Sequence, residues 1–284
     1  MAKLAITVGD PRGIGPEVVA AALADPRVSS VAEYVVIGSR DRMASASAPD
    51  AGRRAGEAVV RAVELALAGD VDGIVTAPLD KSALLAGGYD FPGHTEMLAE
   101  LTSSRVAMML ASDRLRVVLA TTHIPLRDVP KSVTQLGIIQ TAQITREGLR
   151  AWFGIAEPRL ALCALNPHAG DGGRFGDEDD RILAPAARAA GLAGPFPADT
   201  VFVRAIRGEF DAVVTPYHDV GMTAIKVASF GEAVNVTLGL PFPRTSPDHG
   251  TAMDIAGRGI ADPSSMIAAI LMCTAIVQRQ CDAH

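Results

Sequence analysis

Leu4-Ala5-Ile6-Thr7-Val8-Gly9-Asp10-Pro11-Arg12-Gly13-Ile14-Gly15-Pro16-Glu17 reads as a strand, a glycine turn and the start of a helix. The β-branched apolar run ends at Gly9-Asp10-Pro11. Pro16 suits the first turn of a helix that the alanine-rich stretch to Ala24 continues. The same unit recurs along the chain. Strands are predicted over 4–8, 34–37, 73–76, 106–110, 116–121, 159–164, 211–215 and 233–238. They alternate with helices predicted over 16–24, 51–68, 81–86, 95–103, 133–153, 179–190, 200–207 and 264–279. Within 51–68, Ala55, Val59, Val63 and Leu67 fall on one helical face, while Arg53, Glu57, Arg61 and Glu64 lie away from it. Such alternation predicts an α/β fold with a largely parallel sheet. The Ala-, Ser- and Pro-rich stretch 43–50 is predicted to be a loop.

A chain of 284 residues, 49% hydrophobic, can build one large α/β domain or two lobes. The net charge of −6 argues against a nucleic-acid partner. Cys163, Cys273 and Cys281 form no CxxC pair, so a reduced thiol set and a cytoplasmic location are expected. The apolar part of the N-terminus is too short for a signal peptide. Residues 264–277 are apolar but shorter than a membrane span, so a buried helix is expected there, with Asp262 capping it, Pro263 in its first turn and no membrane partner.

Three clusters set a histidine just past a predicted strand: Thr121-Thr122-His123-Ile124-Pro125, Asn166-Pro167-His168-Ala169-Gly170 and Pro216-Tyr217-His218-Asp219. Strand ends of α/β proteins are where ligands bind, and three neutral imidazoles brought together there make an open divalent-metal site. A single histidine in such a place is more often structural, and no local chelate such as HExxH is present, so the reading depends on the fold. The turn at 9–17 is neither a Rossmann fingerprint nor a phosphate loop, and is as consistent with a tight turn as with a binding loop. Gly93-His94-Thr95-Glu96 reads as a loop entering a helix; Thr95 can cap it and His94 can donate to a bound anion, at even odds with a simple cap. Lys226, Asn235 and Arg244 suit a phosphate or carboxylate, but on spacing alone scattered surface charges are the better account of them. The stretch 248–257 fits a close approach to a nucleotide or a glycine-bounded helix.

Together these motifs resemble the 4-hydroxythreonine-4-phosphate dehydrogenase family: GDPRGIGPE (9–17), TAPLDK (76–81), GHTE (93–96), TTHIPLRDVP (121–130), NPHAGDGG (166–173), GPFPADTVF (194–202), TPYHDVG (215–221) and NVTLGLPFPRTSPDHGTAMDIAG (235–257) run in family order. The end pieces are also similar to isopropylmalate and isocitrate dehydrogenases. The resemblance implies a two-lobed, isopropylmalate-dehydrogenase-like fold with the site in the cleft. It assigns 1–92 with 238–284 to a cofactor-side lobe, and 93–237 to a metal, substrate and dimerisation lobe. It implies His123, His168 and His218 as ligands of a divalent metal such as Zn, Mg, Co or Mn, in a homodimer whose site takes ligands from both subunits. It implies His94, Thr95, Lys226, Asn235 and Arg244 as substrate contacts, and Asp199, Asp219 and Lys226 as the catalytic acid–base groups. Gly13 and Gly15, with Asp248, Gly250, Thr251 and Asp254, match the side that binds NAD or NADP. The implied reaction is metal-dependent oxidation of 4-phosphohydroxy-L-threonine to a 3-oxo acid that loses carbon dioxide. Three departures from the family pattern keep related phosphorylated hydroxy acids open: the stretch 38–56 is short, Val220 stands where glutamine is usual, and Arg12 stands where alanine is common. A non-redox metal hydrolase or lyase is the other class the histidines permit.

Overall fold

The computed structural model describes residues 1–229 and 231–282. The first unit opens with β1 (Ala2–Thr7), α1 (Gly15–Ala24), α2 (Pro26–Ser29), β2 (Ala32–Ile37), α3 (Ala48–Leu67), β3 (Gly73–Thr76), α4 (Lys81–Ala86) and α5 (His94–Leu101). The second contains β4 (Ala107–Ala111), β5 (Arg116–Leu119), α6 (Val129–Ser132), α7 (Gln135–Phe153), β6 (Leu160–Cys163), α8 (Ala184–Ala190), β7 (Ala193–Phe196), α9 (Ala198–Ile206), β8 (Ala212–Thr215) and α10 (His218–Ala228). The chain then returns to the first with β9 (Val234–Leu238), β10 (Arg244–Pro247) and α11 (Ser264–Asp282). The two units are Met1–Arg105 with Val234–His284, and Val106–Ala233. His94, Thr95 and Asn235, expected with the metal-bearing lobe, thus belong to the first unit.

In the first unit the strand order is β2-β1-β3-β10-β9, parallel except for β10 against β9. Leu4, Ala5 and Ile6 are fully buried, as both faces of a parallel strand demand. α3 starts earlier than its apolar period predicts. Ser47 caps it by accepting from Asp50 N at 3.3 Å, and Pro49 sits in the first turn, so the end of the predicted 43–50 loop is helical. Ala55, Val59 and Val63 are buried as expected, but Leu67, in the last turn, is exposed. Gly52 lets α4 approach: a Cβ there would lie 1.7 Å from the Ala83 carbonyl oxygen. α11 continues to Asp282 and, by length and composition, is the one helix among the described residues long enough to cross a membrane. Met266, Ile270, Cys273 and Ile276 bury its face, which packs on β10, β3 and β1 as a core helix. Asp262 accepts from Ser264 N at 2.9 Å, the cap expected.

In the second unit the order is β4-β5-β8-β6-β7, parallel except for β4 against β5. Leu119, Val117, Val213, Ala161, Cys163, Val201 and Ile225 form its core. The sequence patterns miss five elements, the short helices α2 and α6 together with β7, β10 and α10. β10 is Arg-Thr-Ser-Pro, polar yet fully buried, so hydropathy gives no signal. β7 carries Gly194 and Pro195 at the sheet edge, where proline is tolerated. α10 begins at His218 itself without a side-chain cap, and its Gly221 packs so tightly that a Cβ would lie 2.6 Å from Val117 Cγ1. Val220 packs against this core, which accounts for an apolar residue at that position.

Candidate functional site

The first unit gathers a cluster of polar side chains where β3 ends. β10 lies parallel to β3 with Arg244 opposite Ile74, and the arginine reaches along the strand to donate to Thr76 Oγ1 at 2.5 Å. It also donates to Thr237 Oγ1 at 2.9 Å. Arg244 is 1% exposed, enters no ion pair among the described residues, and its Nε finds no partner. Burial pulls its guanidinium down to about 10, with Glu96 opposing. A buried cation balanced only by hydroxyls is destabilising by several kcal/mol, roughly, unless an anion arrives. The reading of Arg244 as a scattered surface charge therefore fails.

His94 opens α5 after Gly93, so Thr95 lies inside the first turn and does not cap it. The residue as a whole is half-buried, but its Nε2 is sealed and unpartnered. Burial first, then the charges of Arg244 and Lys81, hold the imidazole well below its usual 6.5. His94 is thus a neutral donor–acceptor at pH 7. Asn235 is the second residue of β9, opposite Ser246 of β10, and its Oδ1 is also buried without a partner. Antiparallel pairing puts that end of β9 beside the end of β3, so Asn235 and Thr76 share one edge of the sheet. Lys81 stands at the same edge. In the sequence it is marked only as the last residue of TAPLDK (76–81), since one lysine opening a short helix carries no further signal.

The two glycine-bearing loops, each ambiguous by itself, meet in this unit. Ile14 N donates to the Thr251 carbonyl at 2.9 Å, and Gly257 N to Glu17 Oε1 at 3.2 Å. A Cβ on Gly13 would stand 2.7 Å from the Thr251 carbonyl oxygen, and one on Gly15 2.1 Å from that of Val8. These glycines are required for close packing. Asp248 N donates to Ser265 Oγ at 3.2 Å, and no helix forms over 248–257. Gly250 and Asp254 remain exposed. Arg12 does not offer a loose cation, because it grips the buried Asp10 through Nε at 3.0 Å and Nη2 at 2.7 Å.

In the second unit His123, His218 and His168 follow β5, β8 and β6, three neighbouring parallel strands. Thr121 Oγ1 donates to the Pro216 carbonyl at 2.7 Å, tying the first two turns together. The His123 and His218 rings lie 5.5 Å apart between centroids. His218 Nδ1 is 2.7 Å from Asp219 Oδ1, which leaves Nε2 to face a ligand, as a carboxylate-oriented metal ligand requires. Asp219, expected as a base, meets His218 through one carboxylate oxygen and is otherwise exposed. Among the described residues no three His, Cys, Asp or Glu side chains form a metal-holding group, and no ring contact links His168 to the other two. His168 lines a pocket with Asn166, Asp199 and Tyr217. Burial, then the charges of Cys163 and Asp219, raise the Tyr217 phenol, which stays protonated. The His168 turn is held from below: buried Asp179 accepts from Leu165 N at 2.8 Å and Asn166 N at 2.9 Å. Lys226 is exposed in the last turn of α10, two turns along the same face from Asp219. A pair of imidazoles, one of them carboxylate-backed, fits a divalent metal as part of its donor set.

The α/β fold is shared with isocitrate dehydrogenase from Methylococcus capsulatus, with a TM-score of 0.52 at 16% identity over 100% of this chain and 87% of that one. A family model described as pyridoxal phosphate biosynthetic protein PdxA matches residues 16–273, and the chain belongs to that family. It is 43% identical to the 4-hydroxythreonine-4-phosphate dehydrogenase of Desulforapulum autotrophicum, over 95% of this chain and 94% of the relative. That alignment spans 318 positions, more than this chain contains, so the relative carries residues that this one lacks. The crystal structure of 4-hydroxythreonine-4-phosphate dehydrogenase from Klebsiella pneumoniae superposes with a TM-score of 0.88 at 39% identity, covering 98% of this chain and 100% of that one. The chain is an oxidoreductase, which sets aside the hydrolase and lyase reading.

Proposed function

We propose that the protein oxidises 4-phosphohydroxy-L-threonine with NAD, or NADP in its place, in a divalent-metal-dependent reaction of pyridoxine 5′-phosphate biosynthesis. The observation that carries this reading is Arg244, a buried guanidinium without a counter-ion, next to the unpartnered Asn235 Oδ1 and His94 Nε2. Arg244, Asn235, His94 and Thr95 receive the anionic end of the substrate. Asp219 fixes the tautomer of His218, and His218 with His123 and His168 holds the metal. When bound, a divalent ion lowers the pKa of the substrate hydroxyl and polarises the forming ketone, and the nicotinamide accepts the hydride. The hydroxyl proton leaves to a base, for which Asp219, Lys226 and Asp199 are the candidates. The resulting 3-oxo acid loses carbon dioxide to give 3-amino-2-oxopropyl phosphate. The loops at Gly13–Gly15 and Asp248–Asp254, packed on one another, are the dinucleotide-binding edge.

The resemblance to the family supports a homodimer in which a second copy completes the metal site. Unpaired cysteines, two of them buried, suit a reducing cytoplasm. The test is reduction of NAD followed by absorbance, with and without chelator, on 4-phosphohydroxy-L-threonine, 4-phospho-D-erythronate and 4-phospho-D-threonate. Metal-dependent turnover of the first supports the proposal. Turnover of a phospho-sugar acid instead supports the second reading, a related dehydrogenase, which the missing residues of the short 38–56 stretch favour. No turnover of any of them refutes both.

A further inference from the structure

Lys81 has no role in the site as built so far, yet its surroundings are specific. It follows the strand end that carries Thr76, and Asp80 is occupied in capping α4 by accepting from Ala83 N at 2.6 Å. The Lys81 side chain is exposed and makes no hydrogen bond or ion pair among the described residues. Its Cε passes 3.5 Å from where a Cβ on Gly93 would stand, so glycine there leaves the lysine room to lie along the entry to α5. Its charge reaches His94, as does that of Arg244. Glu96 lies near Gly93 and Arg244 but forms no ion pair with either cation.

Two unneutralised cations and a neutral imidazole with a sealed, unpartnered nitrogen therefore converge on one sheet edge. A carboxylate needs one such cation. A phosphate dianion, with three acceptor oxygens, uses both charges and the additional donor. We propose that Lys81 is a further binding residue that, with Arg244, grips the phosphate of the substrate. This rests on the anion-site reading above and assigns its more highly charged half. Lys81 is exposed and Arg244 buried, so the phosphate meets the exposed charge first and settles against the buried one. Glu96 opposes it and sets an upper limit on affinity.

The test uses the full chain and inorganic phosphate as probe, by equilibrium titration of wild type, Lys81→Gln, Lys81→Arg and Glu96→Gln. One charge-assisted contact corresponds to a loss of about 10- to 100-fold in phosphate affinity for Lys81→Gln. Lys81→Arg should recover most of it, and Glu96→Gln should bind phosphate more tightly. KM for the phosphorylated substrate should rise with the same factor while kcat changes less than about threefold. Because Lys81 is exposed, the thermal midpoint should not move. Phosphate affinity unchanged in a folded Lys81→Gln variant, or no phosphate binding by the wild type, overturns the assignment. A fall in phosphate affinity in an enzyme that turns over none of the three substrates leaves Lys81 in place and refutes the proposed reaction instead.

Discussion

Replacing Asp179 tests how the His168 turn is held. The carboxylate is 1% exposed and takes two backbone N–H bonds, from Leu165 at 2.8 Å and Asn166 at 2.9 Å. Beyond them His168, Ala169 and Asp171 adopt left-handed backbone at φ 52°, 55° and 44°. Each such residue costs on the order of 1 kcal/mol, so the turn persists only while something else fixes it. Asparagine keeps one acceptor and presents an amide N–H to the second backbone donor, a loss of about 1–3 kcal/mol. Alanine leaves both donors unpaired, a loss of about 3–6 kcal/mol before water enters, against a total stability of roughly 5–15 kcal/mol. Urea unfolding followed on Trp152, the single tryptophan, reads the unit that contains Asp179. The expected order is wild type, then Asp179→Asn, then Asp179→Ala, with faster amide exchange at Leu165 and Asn166 in both variants. Stability within about 0.5 kcal/mol of wild type for the alanine variant, with protected amides, refutes the reasoning.

His94 gives a pH dependence. Its folded-state pKa lies well below 6.5, so below that pH the unfolded chain binds a proton that the folded chain refuses. Stability attributable to His94 is therefore present above about pH 6.5 and falls as the pH drops beneath it. His94→Gln should flatten that part of the acid limb in thermal melts, and identical limbs would contradict the sealed Nε2. Asp219→Asn removes the carboxylate that fixes His218 and should weaken divalent-metal affinity by about 10- to 100-fold in a competition titration with a chelating dye. Arg244→Ala should raise KM for the phosphorylated substrate far more than for NAD; equal effects would place Arg244 outside the substrate site. Gly13→Ala drives a Cβ to 2.7 Å from the Thr251 carbonyl oxygen and should raise KM for the dinucleotide more than for substrate, unless the two loops serve only to pack.

The alternation of strands and helices, the buried face of α3, the cap at Asp262 and the placement of three histidines past strands were legible in the sequence, because short-range periodicity and turn chemistry are local. So was the family, carried by motifs such as GIGPE and NPHAG. The polar strand β10 was not, since its burial comes from neighbours far along the chain. The same holds for the status of Arg244. Sequence leaves it an arginine after Pro243, and only the pairing of β10 with β3 and β9 buries it between Thr76 and Thr237 without a counter-ion. His94 and Lys81 acquire meaning from that same convergence. Asp219 acquires its contact for a similar reason: the start of α10 sets one oxygen of its carboxylate against His218. Local residues determined the elements and the kinds of chemistry on offer. Tertiary pairing decided which charges are stranded, which donors are spent, and therefore where an anion and a metal can be held.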